Sequence, residues 1–270
     1  MSNLVQRTIT GVIFLILVIF AIAFSKISFL ILFLLILIGS MYEFYTLSKK
    51  DDISPLKIYG IIVGSILFTA NFLFANDLMS AKCFLPVIPL VIGVFIIELY
   101  RKADQPFTNI GFTILGLLYI AVPLSLANYI VIDNQVAYNP NLLLGFFFLM
   151  WSYDTLAYVF GISFGKHRLF ERISPKKSWE GFIGGTLSSL IIAYVVSLLF
   201  NELRFIDWAI VAIIISVAGT FGDLVESSFK RSVDEKDSGK ILPGHGGVLD
   251  RFDAVFIALP MFYVYLQLVQ

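Results

Sequence analysis

Apolar residues fill this chain in blocks of about twenty, each long enough to be a membrane span, parted by short polar stretches. From Ile9 to Gly39 the apolar run is broken chiefly at Ser25-Lys26. One helix of that length would measure ~46 Å at ~1.5 Å per residue, against a hydrocarbon core only ~30 Å thick. The break therefore predicts two spans joined by a tight turn, the second ending among Tyr42 and Tyr45 as an aromatic interfacial belt. Further runs predict spans over about 56–75, 84–99, 110–132, 142–165, 181–200, 205–227 and 252–269, nine in all. Pro86, Pro89 and Pro123 fall inside these runs, where neighbouring helices can satisfy the freed carbonyls. Lys49-Lys50-Asp51-Asp52 and Asn139-Pro140-Asn141 mark polar turns.

Composition agrees with that pattern. Hydrophobic residues make up 59% of the chain and charged ones 14%, where a globular domain carries about 25% charged residues. The expected fold is all-α and polytopic. It forms one membrane domain over 1–270, with N-terminal spans in 1–141, and 142–270 bearing two polar loops, 163–181 and 226–253. The apolar stretch after Arg7 is too long for a cleavable signal and reads as a retained span. Cys83 has no second cysteine to pair with and reads as a small apolar filler. Lys+Arg and Asp+Glu balance at 19 each, which argues against nucleic acid as a partner.

Charge placement adds an orientation. With nine spans, only Lys26, Lys82 and Arg204 fall on one side, and every other Lys and Arg falls on the side of the N-terminus. The basic side is expected to be cytoplasmic. Merging the first two spans would move only Arg7 and Lys26.

Candidate chemistry concentrates in Asp223 to Asp253, DLVESSFKRSVDEKDSGKILPGHGGVLDRFD. Ionisable groups beside membrane-grade sequence are costly to desolvate and are functional candidates. Asp223, Glu226, Asp237, Asp250 and Asp253 suit a hard cation such as Mg²⁺. Lys230, Arg231, Lys236, Lys240 and Arg251 suit phosphate oxygens. Gly244, Gly246 and Gly247 around His245 permit close backbone approach to a ligand. Asp223, Glu226 and Lys230 stand at i, i+3 and i+7 and share a helix face, which Asp250 and Asp253 could meet from the next span. The plainer alternative is an interhelical salt-bridge network with no metal. For His245 the roles of metal ligand, phosphate donor and loop-holding donor stay open, with general base the weakest.

A second constellation runs from Asp154 to Gly181, with Lys166, Arg168, Arg172, Lys176 and Lys177 in a basic loop. Positive-inside topology alone would explain those charges, but not the ordered Ser174-Pro175 and Ser178-Trp179-Glu180-Gly181. Trp179 reads either as a base-stacking platform or as an interfacial anchor.

The order Ser227, Lys230-Arg231, Lys236-Asp237, Gly239, Leu242-Pro243, His245-Gly246-Gly247, Asp250-Arg251 and Asp253 resembles the signature of phosphatidate cytidylyltransferases, the CDP-diacylglycerol synthases. The Ser174 to Gly181 element resembles the same family, with Ser178 where many relatives carry Thr. The likeness is strong from Asp154 onward and only general in character before it.

The resemblance implies the reaction of CTP with phosphatidate to CDP-diacylglycerol and pyrophosphate, with magnesium as cofactor and a second cation left open. It implies a catalytic set of Asp223, Lys230, Arg231, Lys236, Asp237, His245, Asp250, Arg251 and Asp253, and metal ligands among Asp223, Glu226, Asp250 and Asp253. Substrate binding would fall to Asp154, Lys166, Ser174, Lys177, Ser178, Trp179, Glu180, Gly244, Gly246 and Gly247. It also implies a homodimer among membrane lipids of the cell inner membrane, with the site facing the cytoplasm. Two other classes remain in view, a CTP-dependent lipid-alcohol kinase and an ion-coupled transporter. The transporter's acids should lie near the midplane of broken helices, whereas these cluster at one interface.

Overall fold

The computed structural model describes residues 3–50, 52–132, 137–235, 237–239 and 246–269, with side chains described from Thr10 onward. Lys236, Lys240, Leu242, Pro243, Gly244 and His245 lie outside the described residues. The helices are α1 (Asn3–Phe24), α2 (Lys26–Leu47), α3 (Lys57–Ala75), α4 (Val87–Arg101), α5 (Pro106–Ile130), α6 (Asn141–Phe164), α7 (Trp179–Leu199), α8 (Phe205–Ser232) and α9 (Leu249–Val269). Among the described residues eight helical stretches are long and apolar enough to cross a membrane, α4 counting together with the turn before it as Ala81–Arg101, and α1 adds the shorter apolar stretch Thr10–Phe24. The chain is an all-α, polytopic membrane protein.

The first break falls where expected, and its chemistry is local. Ser25 is extended, its hydroxyl accepts from Ser28 N at 3.1 Å, and Ser28 Oγ accepts from Ser25 N at 3.0 Å. This reciprocal cap satisfies two N–H groups that a helix start leaves unpaired. In α5 a π turn over Leu117–Ala121 precedes Pro123. The wider turn absorbs the clash between a proline ring and the carbonyl one turn back.

Two boundaries differ from the hydropathy reading. α8 continues to Ser232 rather than 227, and α9 begins at Leu249 rather than 252. Hydropathy registers only the apolar stretch, whereas helix ends are extended by charge. Lys230 and Arg231 lie in the last turn of α8 and Asp250 in the first turn of α9, the signs that the helix dipole favours. The loop over 163–181 also holds an antiparallel hairpin, β1 (Arg168–Phe170) with β2 (Ser174–Ser178), pairing Arg168 with Ser178 and Phe170 with Ser174.

The chain packs as two compact units, residues 1–138 with 232–252, and 139–231 with 253–270. In the first, Phe29, Phe33 and Phe68 build the core, and Tyr45 donates to Thr113 O at 2.7 Å. Buried Glu98 accepts from Asn109 Nδ2 at 2.6 Å, and Asn109 Oδ1 accepts from Ser54 N at 2.7 Å, which pins the chain leading into α3. In the second unit Trp208 is fully buried and Phe146 stacks on Phe262 at 5.3 Å. Asp207 pairs with Arg204 at 3.0 Å and accepts from Tyr265 at 3.0 Å near the start of α8. That network lies about 24 Å along the helix from Asp223.

Candidate active site

The acids of α8 meet α9 because Gly222 carries no side chain. A Cβ there would stand 2.6 Å from Asp253 O and 2.8 Å from Ala254 Cα, so the two backbones touch. Close backbone approach through small residues is how membrane helices pack tightly. It brings Asp253 beside Asp223 and Glu226, one ligand oxygen of each lying within 4.8 Å of the others. Asp154 of α6 is near enough for its charge to act on Asp253 as well.

Like charges at that spacing are costly unless cations offset them. Two lysines do so here. Lys177 Nζ, carried by β2, lies 2.5 Å from Asp223 Oδ2, and Lys230 Nζ lies 2.6 Å from Glu226 Oε2 one turn along α8. Ser227 Oγ donates to Asp223 Oδ1 at 3.1 Å. Tyr153 and Thr220 share a hydroxyl hydrogen bond of 2.5 Å just before the acids.

The hairpin is fastened at its base. Ser178 caps α7, its Oγ accepting from Gly181 N at 3.1 Å. Glu180 accepts from Lys166 N at 3.1 Å, from His167 N at 3.2 Å, and pairs with His167 Nδ1 at 2.6 Å. Trp179, half exposed and edge-on to Phe182, lines an apolar groove with Leu169, Phe170, Val217 and Phe221.

The described signature residues between Ser232 and Phe252 belong to the first unit and are held differently. Asp250 Oδ2 accepts from Gly247 N at 2.8 Å and from Ser238 N at 3.1 Å. Gly246 adopts φ +81, a backbone conformation that side chains disfavour. Glu43 of α2, buried, accepts from Ser238 Oγ at 3.1 Å and Leu249 N at 2.8 Å.

A family model for the cytidylyltransferase family matches residues 5–269. The chain is 32% identical over 272 residues to a phosphatidate cytidylyltransferase of Bacillus subtilis, covering 99% of each protein. It is 32% identical over 227 residues to the protein of that name from Rickettsia prowazekii, covering 81% of this chain and 96% of the relative. A third of that name, from Staphylococcus haemolyticus, shares 51% over 122 residues, 44% of this chain and 46% of the relative.

The chain belongs to the cytidylyltransferase family.

Within this cytidylyltransferase-family chain, Asp223, Glu226, Lys230, Asp253 and Lys177 come together, with Asp154 in electrostatic range. Lys166 contributes its backbone to Glu180, while its side chain is exposed. Ser174 opens β2. Arg231, Asp237 and Arg251 are exposed, and Gly246, Gly247 and Asp250 stand with Ser238 and Glu43. Glu43 escapes a sequence reading because a single acid near the end of an apolar helix looks interfacial. Tyr153 and Thr220 look like ordinary helix residues. An acid one helical turn from the polar loop was the only available signal for Glu43.

Proposed function

We propose that this chain transfers the CMP moiety of CTP to phosphatidate, forming CDP-diacylglycerol and releasing pyrophosphate. The observation that carries the reading is the meeting of Asp223, Glu226 and Asp253 with Lys177 and Lys230, in a chain similar along its length to proteins named for that activity. A phosphatidate oxygen attacks the α-phosphorus of CTP in line. The new P–O bond forms as the bond from the α-phosphorus to the bridging oxygen breaks, and pyrophosphate leaves with the electron pair. The lipid phosphate carries about −1.5 to −2 charge at pH 7, so the nucleophile needs no general base. Positioning and charge neutralisation then supply most of the catalysis.

Asp223, Glu226 and Asp253 are the groups proposed to hold Mg²⁺. One oxygen of each lies within 4.8 Å of the others, a carboxylate set of the kind that a hard divalent cation takes. Bound there, the ion would neutralise phosphate charge. Asp250 is proposed to hold the loop, since its Oδ2 accepts from the backbone amides of Ser238 and Gly247. Lys177 and Lys230 keep the acids paired and present ammonium groups to phosphate oxygens. The basic asymmetry of the loops favours a site open to the cytoplasm in the plasma membrane. Assembly as a homodimer remains part of the same proposal by family likeness.

Purified protein incubated with CTP, phosphatidate and Mg²⁺ should yield CDP-diacylglycerol and pyrophosphate in equal amounts. Release of CDP with a phosphorylated lipid alcohol as product would instead identify a kinase.

A further inference from the structure

Glu43 is 2% exposed. A carboxyl group so buried is costly to the extent that its oxygens lack hydrogen bonds. Its Oε2 takes two donors from opposite arms of the signature loop, Ser238 Oγ at 3.1 Å and Leu249 N at 2.8 Å, while Oε1 has no hydrogen-bond partner among the described residues. Leu249 opens α9, and the first N–H groups of a helix have no acceptor within it. Glu43 supplies that acceptor from another helix, with the sign of charge that a helix N-terminus favours.

The clamp is doubled. Ser238 gives its N–H to Asp250 Oδ2 at 3.1 Å, and Ser238 Oγ accepts from Asp250 N at 3.3 Å. A Cβ on Gly239 or on Gly247 would collide with the Glu43 carboxylate. Both glycines are therefore shaped to the acid rather than to general flexibility.

We propose that Glu43 is a positioning residue for the transfer reaction. It clamps Ser238–Gly239 against Gly247–Leu249 and fixes the start of α9, which carries Asp250 and Arg251 and, one turn on, Asp253. It acts through Ser238 and the Leu249 amide, without touching substrate. The kinetic part rests on the proposed function, whereas the clamp does not.

The test uses the full chain in lipid nanodiscs. Glu43→Gln keeps the side-chain volume and removes the charge. It should lower turnover about 10- to 100-fold, the scale of a loosened charge-assisted contact and a misplacement of about 1 Å. Hydrogen exchange should speed up in peptides covering 237–239 and 246–250 and stay unchanged in α3. Ser238→Ala should show a smaller loss, and the double variant should lose less than the product of the two single losses. Unchanged protection of those peptides in Glu43→Gln would overturn the clamp. Faster exchange with wild-type turnover would overturn the positioning role, as would fully multiplicative losses. Should the wild-type protein form no CDP-lipid, the functional reading falls, and the exchange measurement still decides the clamp. Ser238→Ala carries the same readouts if Glu43→Gln fails to insert.

Discussion

Asp250 and Asp253 are neighbours on one helix, belong to one sequence signature, and meet opposite surroundings. Asp250 receives N–H donors from Ser238 and Gly247, the environment of a carboxylate that holds backbone in place. Asp253 accepts the N–H of Ala254 at 2.7 Å but otherwise faces Asp223 and Glu226, the environment of the proposed ion ligand. The lesson is that an acid's role follows from what its oxygens meet. Donors around an acid satisfy it, whereas other acids around it leave it ready for a cation.

The largest expected effect separates these two. Asp253→Asn should lower turnover about 10²- to 10³-fold, the scale of one lost ion ligand. Its melting temperature should hold or rise, because a like-charge contact is relieved. The Mg²⁺ concentration giving half-maximal rate should increase. Asp250→Asn should instead destabilise the protein by about 1–3 kcal/mol, since one oxygen becomes an amide facing N–H donors. Its Mg²⁺ dependence should stay in place. A Mg²⁺ shift in Asp250→Asn with none in Asp253→Asn would exchange the two roles.

Next in size is Lys177, which tests whether the hairpin belongs to the reacting cluster. Lys177→Gln removes the ammonium 2.5 Å from Asp223 and should cost about 10- to 100-fold in kcat/KM. Lys49→Gln, in a loop with no part in the site, is the control. Gly222→Ala should act more weakly on turnover and more on stability. It forces a methyl into a 2.6 Å gap at Asp253 O, overpacking worth about 1–3 kcal/mol. Wild-type thermal stability in Gly222→Ala would show that α8 and α9 are not held together there.

Much of this was legible in the chain because membranes impose simple rules. The all-α polytopic fold, the break at Ser25 and the shared face of Asp223, Glu226 and Lys230 follow from length, capping and helical period. Nine spans were expected, whereas eight helical stretches are long and apolar enough among the described residues. The helix ends at Ser232 and Leu249 were misjudged because hydropathy is blind to charges that prolong a helix. The different surroundings of Asp250 and Asp253 were not readable, since both acids sit three residues apart at the start of one helix and only tertiary neighbours distinguish them. Glu43 was missed for a related reason. Its partners lie about 200 positions away in sequence, and no local pattern marks such a pairing.

The smallest predicted effect tests how far the chemical region extends. Lys50 pairs with Asp234 at 2.7 Å, and the pair is exposed. Asp234 has φ 59, a left-handed conformation that Asn tolerates as well as Asp, so Asp234→Asn removes the charge with little backbone strain. The Lys50 ammonium holds the Asp234 carboxyl below its ordinary range. A depressed folded value means that the pair stabilises the protein above the unfolded pKa of about 3.9. That stability is lost as pH falls through the folded value. At pH 7 the variant should melt within about 1 °C of wild type, as exposed ion pairs contribute little. The difference should shrink in high salt and vanish at the acid end. Turnover should stay within about twofold, since only screened surface charge is removed. A large loss of turnover in Asp234→Asn would carry the reacting region out to this loop and break the separation between acids that hold backbone and acids that face one another.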